Sequence, residues 1–139
     1  MMHHVFVYGT LLRGCHNHHV LGDEATFIGR GITVDNTFTM LCNGAYPYVK
    51  DAVPSEPHAH ITGELYRVDD EALERLDRLE GVPHHYYRQD VEIVLMDEWG
   101  ETHYPEGTHT AKMYLCDHPH GHRVPHGDWR AHTYEGCGI

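Results

Sequence analysis

One carboxylate in this sequence is spaced as though it belonged to an apolar surface. In "DDEALERLDRLEG", Asp69 to Gly81, leucines recur at Leu73, Leu76 and Leu79, the spacing of one helix face at about 100° per residue. Glu71, Glu74, Arg75 and Arg78 fall on the opposite side, where water belongs. Glu80 does not join them: it follows Leu76 by four residues and Leu73 by seven, near the middle of the leucine stripe. A carboxylate carried into apolar surroundings is costly unless it is paired or neutralised. Burial also raises its pKa toward the range where it exchanges protons at neutral pH, which is the chemistry of a general acid or base. Two plainer readings stand beside this one. The last helical turn can fray and release Glu80 to solvent, or Arg88 can pair with it.

The second candidate is the exit of the first strand, "VFVYGTLLRG", Val5 to Gly14. Val5, Phe6, Val7 and Tyr8 read as a buried strand, and Gly9 and Thr10 interrupt it before Leu11 and Leu12. A glycine there lets bare backbone approach a ligand, with peptide N–H groups offered to a carboxylate or a developing oxyanion. An ordinary tight turn would use the same residues.

Histidine, 16 of 139 residues, raises a metal hypothesis. The clusters are "CHNHH" (Cys15 to His19) and "HPHGHRVPH" (His118 to His126). A zinc site needs three or four convergent ligands, and neither cluster has a recognised zinc spacing. We expect no metal site, with solvated surface histidines as the default. His84 and His85 are read as exposed loop residues, although their position would let them line a pocket.

These residues need elements to hold them. Asp69 or Asp70 is a plausible N-cap and Gly81, before Pro83, a C-terminal stop for the one convincing helix. Val5–Tyr8 is the first strand. Ala25–Ile28 and Gly31–Val34 read as one bent or bulged strand, and Thr37–Leu41 as a short one before a turn at Cys42-Asn43-Gly44. "AYPYVK" is extended because Pro47 blocks a helix. His60–Val68 is strand-like. Val91, Ile93 and Leu95 alternate with Glu92 and Val94, "DEWGETH" has the look of a hairpin turn, and Thr110–Cys116 returns. Residues Leu12–Leu21 read as a polar loop or short helix, and the tail from Asp117 as a surface wrap. Many short strands with one helix predict a single α+β domain, residues 1–139, on a mostly antiparallel, barrel-like sheet.

Length, charge and cysteine use narrow the class. A chain of 139 residues supports one core. The formal charge of −11 falls to about −7 if roughly a quarter of the histidines are protonated, still acidic and therefore against general nucleic-acid binding. No apolar run approaches a membrane span and no signal-peptide pattern is present, so a soluble, cytoplasmic protein without a membrane partner is expected. The cysteines (Cys15, Cys42, Cys116, Cys137) lack C-x-x-C spacing, and reduced thiols are the expectation.

Taken together, "VFVYGTLLRG", "GELYRVDDEALERLDRLEGVPHHYYR" and the later "GDW" (Gly127 to Trp129) resemble the gamma-glutamylcyclotransferase-like (AIG2-like) family, nearest to its gamma-glutamylamine branch and bacterial relatives. The resemblance runs across nearly the whole chain in order. It implies a small mixed barrel with few helices, and a turn Tyr8-Gly9-Thr10-Leu11 that holds the glutamyl part of the substrate through backbone groups. It also implies that Glu80 is the catalytic acid/base and that Tyr86 and Tyr87 line the pocket.

The activity so implied releases 5-oxoproline and a free amine from a γ-glutamylamine or related amide, by attack of the substrate's own α-amine. It needs no cofactor, and its partner is a small γ-glutamyl molecule. A monomer or weak homodimer is expected. Two rivals are kept: a non-catalytic small-molecule binder on the same fold, and a His-rich metal-binding protein.

Overall fold

The computed structural model of the chain describes residues 1–42, 46–82, 86–97, 99, 101, 108–116, 121–124 and 126–132. Alternating β-branched and aromatic residues open it as β1 (Met2–Val7), with Val5, Phe6 and Val7 buried. β2 (Thr26–Thr33), β5 (Thr62–Asp69), β6 (Tyr87–Leu95) and β7 (Thr108–Leu115) join it in a closed barrel of order β1-β5-β2-β6-β7. The seam is the parallel contact of β1 with β7, at Val5 and Lys112; the other ladders are antiparallel. The expected bend in β2 is a register shift between Phe27 and Gly29. This is the α+β, mostly antiparallel barrel that the strand pattern predicts.

Phe6 plugs the barrel, and two glycines make room for it. A Cβ on Gly63 would lie 2.1 Å from the Val7 carbonyl oxygen and 3.0 Å from Phe6, and one on Gly31 would lie 2.8 Å from Ile93. The interior is therefore side chain rather than channel. A second sheet, β4 (Pro47–Asp51), β3 (Phe38–Cys42) and β8 (His122–Arg123), stands beside it. Its β4 is tied to the end of β7 where the Cys116 N–H donates to the Val49 carbonyl at 2.8 Å.

The helix α1 (Asp70–Glu80) is closed at both ends. The Asp69 carboxylate accepts from the Ala72 N–H at 2.9 Å. Gly81 adopts φ 67°, and Gly81 and Val82 donate to the Arg78 and Asp77 carbonyls, the Schellman pairing that terminates a helix without fraying. α1 buries Ala72, Leu73 and Leu76. The expected leucine stripe is shorter than its spacing suggests: Leu79 is 41% exposed, and the inward face continues from Leu76 to Glu80, one turn on.

The tail departs from expectation. A short helix, α2 (Trp129–His132), places Trp129 in the core at 1% exposure, and Val124 is buried too, so this segment completes the core as well as covering it. The thiol expectation holds for Cys42 and Cys116, which are free and buried. Cys15 departs from it, being disulfide-bonded. The turn at Asn43-Gly44, most of the "DEWGETH" turn, and Cys137 lie outside the described residues. Among the described residues no helix is long and apolar enough to cross a membrane.

Candidate active site

The chain leaves β1 through a run of tight turns. Leu12 N–H donates to the Gly9 carbonyl at 3.0 Å, Cys15 N–H to Leu12 at 2.9 Å and His18 N–H to Cys15 at 3.1 Å. Asn17 closes the run on Thr10 twice, main chain to carbonyl and Nδ2 to Oγ1, each at 3.0 Å. Buried Glu64 of β5 anchors its middle, accepting the Arg13 N–H at 2.8 Å and the Tyr66 hydroxyl at 3.0 Å. The peptide N–H groups of Gly9, Thr10 and Leu11 donate to nothing among the described residues, so they remain open to a ligand.

This turn forms one wall of a cavity of about 490 Å³, and Glu80 and Leu79 of α1 stand on another. Tyr8, Gly9, Thr10, Leu11, Glu80 and Tyr86 thus meet around one space. Tyr87 is not among the lining residues; both tyrosines pack against the core, and Tyr86 also faces the cavity. His84 and His85 lie outside the described residues. The glycine has a reason that the sequence did not reveal. A Cβ on Gly9 would lie 2.6 Å from Pro47 Cγ and 2.8 Å from its Cδ, so the turn is glycine because the second sheet presses on it.

The cavity is walled by phenols. Tyr8 is buried and donates to the Tyr114 carbonyl at 2.7 Å. Tyr48 and Tyr86 stack with centroids 6.0 Å apart and planes at 20°, and Tyr46 meets Tyr48 edge-on at 5.4 Å. Burial holds the Tyr8, Tyr86 and Tyr114 phenols above their ordinary pKa, and the Glu80 charge adds to each shift. They stay neutral donors at physiological pH.

Glu80 is different. Half-buried, with no hydrogen-bond donor or cation paired to it among the described residues, its carboxyl is pushed by desolvation to about 7. Arg88, considered above as its partner, is bound elsewhere: its Nε lies 2.9 Å from Asp77 Oδ1. Tyr48, Tyr114, Cys116 and Asp77 were not singled out as site residues, because each sits in a segment whose spacing speaks only of strand or helix. Among the described residues no Lys or Arg lines the cavity, and none form a group of three or more His, Cys, Asp and Glu that could hold a metal ion.

The family model described as "Gamma-glutamyl cyclotransferase, AIG2-like" matches residues 5–131. A Methanocaldococcus jannaschii protein, provisionally named a gamma-glutamylcyclotransferase, is 44% identical over 94 residues, covering 68% of this chain and 74% of that one. The gamma-glutamylaminecyclotransferase of Rattus norvegicus is 40% identical over 104 residues, 70% of this chain and 67% of its own. The crystal structure of an AIG2-like protein from Mus musculus superposes with a TM-score of 0.68 at 33% identity, covering 84% of this chain and 78% of the other.

Proposed function

This chain belongs to the gamma-glutamyl cyclotransferase, AIG2-like family, and we propose that its cavity closes a γ-glutamylamine into 5-oxoproline and expels the free amine. The observation that carries this reading is the position of Glu80, desolvated on a cavity wall it shares with the open N–H groups of Gly9, Thr10 and Leu11.

The glutamyl end of the substrate carries a carboxylate, and with no Lys or Arg on the walls among the described residues the turn's peptide donors are placed to receive it. Folding the side chain back brings the α-nitrogen onto the γ-carbonyl carbon, where enforced proximity replaces a bimolecular collision. Glu80, ionised, takes a proton from the α-ammonium. The freed amine forms the new C–N bond, negative charge builds on the carbonyl oxygen, and neighbouring N–H or phenol donors stabilise it. Glu80 then returns its proton to the leaving nitrogen as the old C–N bond breaks. Across the whole reaction the attacking nitrogen loses two protons and the departing one gains two, so charge and atoms balance without any cofactor.

A carboxyl with an ordinary pKa would be a poor donor in the second half of this cycle; one near 7 serves both halves. On the leaving-group side the wall is Tyr46, Pro47, Tyr48 and Leu79, an apolar and aromatic surface that suits an alkylamine stem. A γ-glutamyl amino acid would bring a second carboxylate there, where no Lys or Arg stands among the described residues.

The test is a panel of γ-glutamyl alkylamines, γ-glutamyl amino acids and glutathione, with the lactam detected by mass spectrometry. Lactam from the alkylamines, and its loss in Glu80→Gln, is the expected result. Tight binding of the panel with no lactam from any member would replace this reading with a non-catalytic binder.

A further inference from the structure

Three charged or polar side chains converge beside Glu80 without touching it. Asp77 lies one turn earlier on the same helix, and residues three apart are surface neighbours. Its Oδ1 receives the Tyr114 hydroxyl at 2.7 Å and the Arg88 Nε at 2.9 Å. Arg88 and Tyr114 are themselves register partners on β6 and β7, so one carboxylate oxygen gathers both strands onto the last turns of α1. The Arg88 and Asp77 side chains are 31% and 25% exposed, shielded enough for their charges to act on neighbours.

From this arrangement we infer that Asp77 is a positioning residue whose task is to hold the Arg88 guanidinium away from Glu80. The inference rests on the proton-transfer role of Glu80 proposed above. An arginine this near, left without Asp77, has a free carboxylate within a helical turn as its next partner. An ion pair there would favour the charged form and spoil a group that must both take and give a proton. The spacing Asp77…Glu80 in "LDRLEG" is then functional: the first acid occupies the cation so that the second stays unpaired.

Other titratable groups face Glu80 across the cavity. Tyr8 from the exit of β1, Tyr86 at the entry to β6, Tyr114 of β7 and Cys116 just after it, Tyr48 of β4 and Tyr46 just before it, and His16 from the turn run share its cavity. The phenols are neutral there and carry no positive charge to tune it.

The experiment is a carbon-13 NMR titration of the Glu80 carboxyl in the free protein, assigned by its absence in Glu80→Gln. We expect a midpoint near 7 in the native chain, a fall of about one unit or more in Asp77→Ala, and recovery toward the native value in Asp77→Ala/Arg88→Gln. An unmoved midpoint in Asp77→Ala, a double variant that stays as low as the single one, or a native midpoint near an ordinary carboxyl each overturns the inference. A merely structural Asp77 would lower the melting temperature and leave the midpoint in place. Should Asp77→Ala not fold, Asp77→Asn, which keeps an oxygen for Tyr114 but drops the charge, makes the same comparison. The titration reads no lactam, so an inactive native protein would defeat the cyclotransferase reading separately from this one.

Discussion

Gly9, in the turn after β1, and Pro47, which opens β4, press against each other on the cavity wall: a Cβ on the glycine would meet the proline ring at 2.6 and 2.8 Å. A proline ring has little freedom to yield. Gly9→Ala is therefore expected to lower stability by about 1–3 kcal/mol, the usual cost of forcing volume into a packed site, and to raise KM as the turn shifts. Chemical denaturation and steady-state kinetics measure both. Gly9→Ala/Pro47→Gly should recover part of the loss, a coupling that two independent sites would not show.

Glu80 is held at a cost to the fold. Its folded pKa, about 7, lies above the ordinary 4.5, so the folded state binds more protons than the unfolded one between these values. Stability from this group is fully present below about pH 4.5 and is lost as pH rises through 7. Glu80→Gln removes the penalty. At pH 8 the variant should be more stable than the native chain by up to about 3 kcal/mol, with the gain vanishing toward pH 4, while turnover falls by about 10²–10⁴-fold. Thermal melts across pH check the first part; equal melting temperatures at pH 8 would mean the carboxyl is not desolvated.

On the proposed reading, the same carboxyl should set the pH dependence of turnover. Below its pKa it already carries a proton and cannot accept one from the substrate ammonium, so kcat should rise with an apparent pKa near 7. A rising limb near 4.5 would indicate a solvated group.

Tyr48 stacks on Tyr86 on the proposed leaving-group side. Tyr48→Ala should raise KM for a γ-glutamyl alkylamine by about tenfold, consistent with loss of one aromatic contact worth about 1–1.5 kcal/mol. It should change little for an unsubstituted γ-amide, whose leaving group is ammonia. Equal losses on both substrates would place Tyr48 on the glutamyl side instead.

Local signals in the sequence report the elements and one end of the chemistry. The stop at Gly81, the acids at Asp69 and Asp70 and the 3.6-residue period give α1, with only the choice of N-cap between those two acids left open, and with it the odd position of Glu80. What periodicity does not carry is contact between distant segments. Leu79 counts as core by spacing, yet it stands at the cavity rim because the space beside it was never filled. Gly9 is recognisable as a glycine that matters, but Pro47, 38 positions later, is what requires it. Arg88 has the charge and the nearness to pair with Glu80; only the fold reveals that Asp77 and Tyr114 hold it first. Trp129 lies in a His- and Gly-rich tail that reads as surface, yet it is buried, and the tail is tied to a distant strand where the Thr62 N–H donates to the Gly127 carbonyl.

The attachment of β4 to β7 through Cys116 and Val49 has a corollary. Proton transfer and grip on the glutamyl head are assigned to the barrel and its helix, whereas Pro47 and Tyr48 ride on a separate three-stranded flank. On the proposed reading, a substitution at Tyr48 would change which amine fits, whereas Pro47, pressed against Gly9, is tied to the turn that grips the glutamyl head.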